Sequence, residues 1–137
     1  MDGIRVIPTK VHGVLDYVVG IALIAAPWIF GFADNDAAMW SAIGAGVAVL
    51  ATSVMTRYEW GLARVIPMPA HLGADMVVGA FLIASPWLFG FSDDGTNAWL
   101  PHVLVGIAEI GVALMTERVP RRRDLARDTR EPLRRAA

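Results

Sequence analysis

Four stretches of this chain run for about twenty residues each with almost no charge, and that pattern narrows the folds open to it. They lie at about 11–32, 37–57, 70–91 and 97–117. A helix needs roughly 20 residues to cross about 30 Å of hydrocarbon at 1.5 Å per residue. A helix on the surface of a soluble domain would keep a polar face. The third stretch, MVVGAFLIASPWLFGF, has none to offer water. Four such segments cannot all be buried inside 137 residues of soluble protein. The expected fold is all-α, a four-helix transmembrane bundle. The first apolar run has no convincing small-residue cleavage site and is expected to remain as the first span.

Charge placement gives the expected orientation. Arg5 and Lys10 precede the first span, Arg57 and Arg64 lie between the second and third, and the other eight arginines follow the fourth. The two remaining loops carry Asp34, Asp36, Asp93 and Asp94 and no basic residue. The positive-inside rule then puts both termini and the middle loop in the cytoplasm of a cell with an inner, cytoplasmic membrane. On this orientation Trp28, Trp40, Trp87 and Trp99 fall at the outer interface, and Tyr58 and Trp60 at the inner one.

The chain also repeats itself. Shifted by 59 positions, RVIPTKVH from Arg5 lies on RVIPMPAH from Arg64, and AAPWIFGFADND from Ala25 lies on ASPWLFGFSDDG from Ala84. His12 matches His71, Asp16 matches Asp75, and Gly20 matches Gly79. Beyond a one-residue slip, Met55-Thr56 matches Met115-Thr116. A two-span unit is therefore used twice, over 1–61 and 62–118, with an Arg-rich tail over 119–137. Two spans is an even number, so the copies enter the membrane in the same direction and form parallel repeats. At about 100° per residue, His12, Asp16, Gly20, Leu23, Pro27 and Gly31 share an arc of roughly 100°. Spans one and three are expected to pack through this face, with glycines allowing close approach.

The repeated tripeptide, Ala26-Pro27-Trp28 in the first unit and Ser85-Pro86-Trp87 in the second, each followed by Phe-Gly-Phe, resembles the signature of the SPW-repeat family of bacterial membrane proteins. The likeness covers about residues 5 to 118. It implies an integral membrane protein of unknown biochemical activity and brings no catalytic residues with it. Pro27 and Pro86 are expected to bend the last turn of their helices, and Gly31 and Gly90 to end them in a left-handed cap.

The polar residues inside the spans are the candidate site. His12 and Asp16, like His71 and Asp75, stand four apart on one helix face, where imidazole and carboxylate can touch. The first reading is a structural polar network near the inner face, with Arg5, Lys10 and Arg64 in reach. A proton or cation site is the second. The third is a divalent metal site, open to two His and two Asp if spans one and three face each other. Glu109 stands alone in span four, where the repeat has Val49, and is expected to hydrogen-bond another helix, within the chain or between copies. His102 is expected at the outer interface. Gly44, Gly46 and Ala48 form a small-residue surface suited to close packing.

Other chemistry lacks its residues. With no cysteine, thiolate metal sites and thiol nucleophiles are excluded. Nucleotide-binding and hydrolase motifs are missing, so neither a cofactor nor an enzymatic role is expected, a metal-dependent intramembrane enzyme ranking lowest. Aspartates and Glu131 interleave with the tail arginines, which argues against nucleic acid. The lipid bilayer, with anionic lipid at the tail, is the expected partner, together with a second copy or another membrane protein. The chain is thus expected to have a structural, accessory or partner-binding role. The alternative is a proton or small-ion transporter or channel using His12, Asp16, His71, Asp75 and Glu109.

Overall fold

The computed structural model describes residues 2–119; the tail beyond them lies outside the described residues. A short 3-10 turn over Asp2–Ile4 leads into α1 (Thr9–Ile29), α2 (Asp36–Met55), α3 (Met68–Leu88) and α4 (Thr96–Met115). All four are long and apolar enough to cross a membrane. The protein is an all-α, four-helix, multi-pass membrane protein. Each helix starts one or two residues earlier than the apolar pattern indicates and stops two or three residues earlier.

The early stops have identifiable causes. Gly31 and Gly90 adopt φ of 72° and 75°. The N–H of Phe32 returns to the Pro27 carbonyl at 2.8 Å, and that of Phe91 to the Pro86 carbonyl at 2.8 Å. This is the six-to-one closure of a Schellman cap, so the left-handed cap is present in both repeats. At the opposite end Thr56 and Thr116 are extended and finish α2 and α4.

The prolines are stabilised differently in the two units. Pro86 has no N–H to offer the carbonyl four residues earlier, that of Leu82. The Ser85 hydroxyl donates to this carbonyl instead, at 2.9 Å. A serine before the proline thus answers the acceptor that the proline strands, which matters most where water is absent. In α1 the same position holds Ala26, which has no hydroxyl.

α1 packs along α2, and α3 along α4; smaller contacts join α2 to α3 and α1 to α4. The expected glycine-mediated packing of α1 against α3 is not what forms. Gly20 crosses Gly46 of α2, and Gly79 crosses Gly106 of α4. A Cβ on Gly46 would sit 2.7 Å from the Gly20 carbonyl oxygen, and one on Gly106 would sit 2.5 Å from that of Gly79. The reason is geometric. Helices joined by a short loop lie side by side along their whole length, so the glycine crossing belongs to the hairpin. Gly46 therefore packs as expected, whereas Gly44 is exposed and faces open space.

Across the bundle the repeats meet in three layers. At the loop end distant from the termini, Phe32 and Phe91 fill the centre with Ala26, Ala38, Ala42 and Ala98. In the middle, the repeat counterparts Leu23 and Leu82 pack with Ala45. At the end bearing the termini, Tyr58, Met68, Leu72 and Ala113 cluster beside the buried polar groups. Trp28, Trp40 and Trp87 point outward, each more than 60% exposed.

Two outcomes follow. Gly46→Ala and Gly106→Ala should each cost about 1–3 kcal/mol through overpacking, while Gly44→Ala and Gly111→Ala, with open space beyond, should be neutral or slightly stabilising. Reversible unfolding in detergent reads the difference. By the same assay Ser85→Ala should cost about 1 kcal/mol, and Ala26→Ser should recover part of that in the other repeat.

Candidate functional site

The four residues at i, i+4 on α1 and α3 come together. His12 and His71 are each the fourth residue of their helix, and Asp16 and Asp75 lie one turn further in. All four are buried, none more than 2% exposed. The His12 and His71 Nε2 atoms are 3.2 Å apart. Asp16 Oδ2 is 2.9 Å from His71 Nε2 and 3.2 Å from His12 Nε2. Asp75 Oδ2 is 3.1 Å from His12 Nε2 and 3.3 Å from His71 Nε2. The shorter contacts run between repeats, so the helices that are not packing neighbours are tied by side chains alone.

Further groups fix this arrangement. The Thr116 hydroxyl donates to the Val112 carbonyl at 2.7 Å and lies 3.0 Å from His12 Nδ1. Its proton is committed to Val112, so it accepts from His12 Nδ1–H. Ser53 of α2 donates to Asp16 Oδ2 at 3.0 Å. The second repeat is less well served. Ala113 stands where Ser53 stands in the first, and the buried atoms His71 Nδ1 and Asp75 Oδ1 have no hydrogen-bond partner among the described residues. Neither Thr116 nor Ser53 was a sequence-level candidate. The match of Thr56 to Thr116 in the repeat was the signal that pointed at the threonine.

The basic residues expected nearby do not take part. Among the described residues every ion pair to Asp16 or Asp75 comes from a histidine. Arg5 instead donates to the Thr116 carbonyl at 2.6 Å, and Arg64 to the Gly61 carbonyl at 3.1 Å. Backbone carbonyls at helix ends and in the loop hold these guanidiniums away from the carboxylates.

The segment between α2 and α3 closes the site from the terminus-bearing end. Glu59 accepts from the Thr9 hydroxyl at 2.8 and 2.9 Å, Trp60 Nε1 donates to the Lys10 carbonyl at 2.9 Å, and Tyr17 donates to the Trp60 carbonyl at 3.0 Å. Tyr58 is 3% exposed rather than interfacial and stacks on His71 at 5.8 Å. Burial pushes its phenol pKa up, so it stays neutral. A side chain on Gly13 would strike the Tyr58 ring, which explains the glycine there.

This pattern of two-span units and Ser-Pro-Trp caps matches one family model, the SPW repeat domain, over residues 10–116. The chain belongs to the SPW repeat family. No curated protein and no solved structure matches it. The SPW tripeptide itself lies at the far end of the bundle from the His–Asp cluster, and its residues work as a helix cap and lateral anchors.

Glu109 is also buried, at 6% exposure, on the α4 face that meets Gly79. Within the chain its carboxyl makes no hydrogen bond to another helix among the described residues. His102, in the second turn of α4, is 1% exposed and buried within the protein. Its ring lies between Phe32 and Phe91, with Nδ1 2.7 Å from the Ala98 carbonyl and Nε2 3.0 Å from that of Ala38. Helical spacing put it at the span's end, but the short loops bring both phenylalanines over it.

A double-mutant cycle on Asp16→Ala and His71→Ala tests the clasp between repeats. The coupling energy in detergent unfolding should be about 1–3 kcal/mol, with each single change costing more than an interhelical bond of about 0.6–2 kcal/mol, because it strands a buried partner. A coupling near zero would show that the two repeats are not held through this pair.

Proposed function

We propose that this SPW-repeat protein is a non-enzymatic membrane component with a structural or partner-binding role, its two repeats clasped by His12, Asp16, His71 and Asp75. The burial of the cluster carries this reading. All four side chains are shut in by Thr9, Glu59, Tyr58 and Trp60 on one side and by the Leu23–Leu82 layer on the other. A transport site has to reach water from each side in turn; a clasp has only to hold.

The arginine distribution supports a cytoplasmic placement of both termini and of the clasp end, in a cytoplasmic membrane. Anionic lipid suits the arginines that follow the fourth span. The outward faces of the helices, with Val18, Ile21, Val77 and Ile107 more than half exposed, suit lipid or a membrane partner.

One observation favours a second reading, that of a proton or small-ion carrier. Glu109 is 6% exposed and its carboxyl has no hydrogen-bond partner among the described residues, two turns along α4 from Thr116, which touches His12. Liposomes separate the two. Vesicles holding the purified chain should be no leakier to protons, sodium or potassium than protein-free vesicles. A specific flux, abolished by Asp16→Asn plus Asp75→Asn or by Glu109→Gln in a folded protein, would replace the clasp reading with the carrier.

A further inference from the structure

The clasp has an unsolved charge problem. Two carboxylates lie with an oxygen of each no more than 4.8 Å apart in a site where, among the described residues, only histidines and no arginine or lysine come within ion-pair distance. Such a pair has to be neutralised in a low-dielectric interior. Protons on the histidines are one means, each Nε2–H directed at the carboxylate of the other repeat at 2.9 and 3.1 Å, but they bring two N–H groups together. Each Nε2 faces three partners at once, both carboxylates and the other Nε2. One N–H can point along only one of those lines. Two N–H groups, or two lone pairs, meeting at 3.2 Å would repel.

We infer that His12, Asp16, His71 and Asp75 together form a binding site for one divalent first-row transition-metal ion shared by the two repeats. This rests on the clasp reading and names what the clasp holds. The four donor atoms do not pair off; each carboxylate Oδ2 lies within 3.3 Å of both Nε2 atoms. Of the six distances among the four residues' ligand atoms, five are 2.9–3.3 Å, and the carboxylate oxygens lie within 4.8 Å of each other. A tetrahedral ion with bonds of about 2.0–2.1 Å to N and O would set such edges near 3.3 Å, so five edges already have that length and an ion would draw the two carboxylates together. An ion at the centre meets all four lone pairs at once, and its double positive charge balances the two carboxylates.

The surroundings follow the logic of a metal centre. A ligating histidine is oriented by donating its other ring nitrogen, and Thr116 accepts from His12 Nδ1. A ligating carboxylate is itself hydrogen-bonded, and Ser53 donates to Asp16 Oδ2. The unpartnered Asp75 Oδ1 leaves a second carboxylate oxygen for the ion. Mixed imidazole and carboxylate donors suit zinc, iron(II), cobalt(II) or manganese(II); calcium and magnesium prefer all-oxygen shells.

The test uses the full chain, purified without a histidine tag, stripped with a chelator and held in nanodiscs. Zinc and cobalt(II) are added and the washed protein is assayed for metal by mass spectrometry. About one ion per chain should be retained, magnesium should not compete, and bound cobalt should show the intense visible d–d absorption of a four-coordinate site. His12→Gln with His71→Gln should abolish retention. Because that variant can misfold, Ser53→Ala and Thr116→Val serve as milder changes and should weaken zinc affinity about 10- to 100-fold with the helix content unchanged. Failure of the parent chain to retain zinc or cobalt, or retention unchanged in all these folded variants, would overturn the inference. In either case tight liposomes would leave the clasp reading standing; ion flux would remove that reading whatever the metal result.

Discussion

A carboxylate two turns inside an apolar helix must be answered by another part of the protein, since lipid cannot answer it. Asp16 and Asp75 impose that condition twice, and each is met chiefly from the other repeat. The nearest histidine nitrogen to Asp16 is that of His71, and the nearest to Asp75 is that of His12. The cluster is therefore a cross-link, not two independent pairs. It joins α1 to α3, which otherwise share little packing. The lid formed by residues 57–66, the stacking of Tyr58 and the glycine at position 13 all serve to keep that cross-link dry.

The same end of the molecule is closed by backbone as well. Ile7, ahead of α1, pairs with Thr116 at the end of α4, and Ile66, ahead of α3, pairs with Thr56 at the end of α2. Each repeat's leading segment thus binds the trailing segment of the other, and the two units close into a ring. This closure brings Thr116 to His12, a contact between residues 104 positions apart. The symmetry is then broken along α4 at two positions that follow the Gly106 crossing. The second repeat has Ala113 for Ser53 and Glu109 for Val49, so the hydroxyl on the Asp16 side has no equal on the Asp75 side. A carboxyl appears one turn further along α4 instead.

The family's tripeptide acts at the opposite end. Proline removes a donor, the serine before it repairs the stranded carbonyl in α3, and glycine ends the helix so that the second phenylalanine turns inward. Asn35 and Asp94, repeat counterparts, then meet across the two loops of that end at 2.7 Å. The two ends divide the labour: apolar plugs and caps hold the far end, and polar groups hold the end bearing the termini.

Much of this was legible without coordinates. Span number follows from hydropathy because lipid admits only helices with satisfied backbones, and the repeat follows from identity at a fixed shift. The shared arc of His12, Asp16 and Gly20 follows from helical period, which is a local property. What the sequence could not decide is which helix each part of the arc would meet. Loops of a few residues force α1 against α2 and α3 against α4, so the glycines were taken by the hairpins and longer side chains, polar at His12, Asp16, His71 and Asp75 and apolar at Leu23 and Leu82, reached across. The fates of Glu109, His102, Tyr58 and the arginines turned on the same issue. Periodicity gives a side chain its direction, but its partner is set by the packing of segments distant in sequence, and that is decided only when the whole bundle closes.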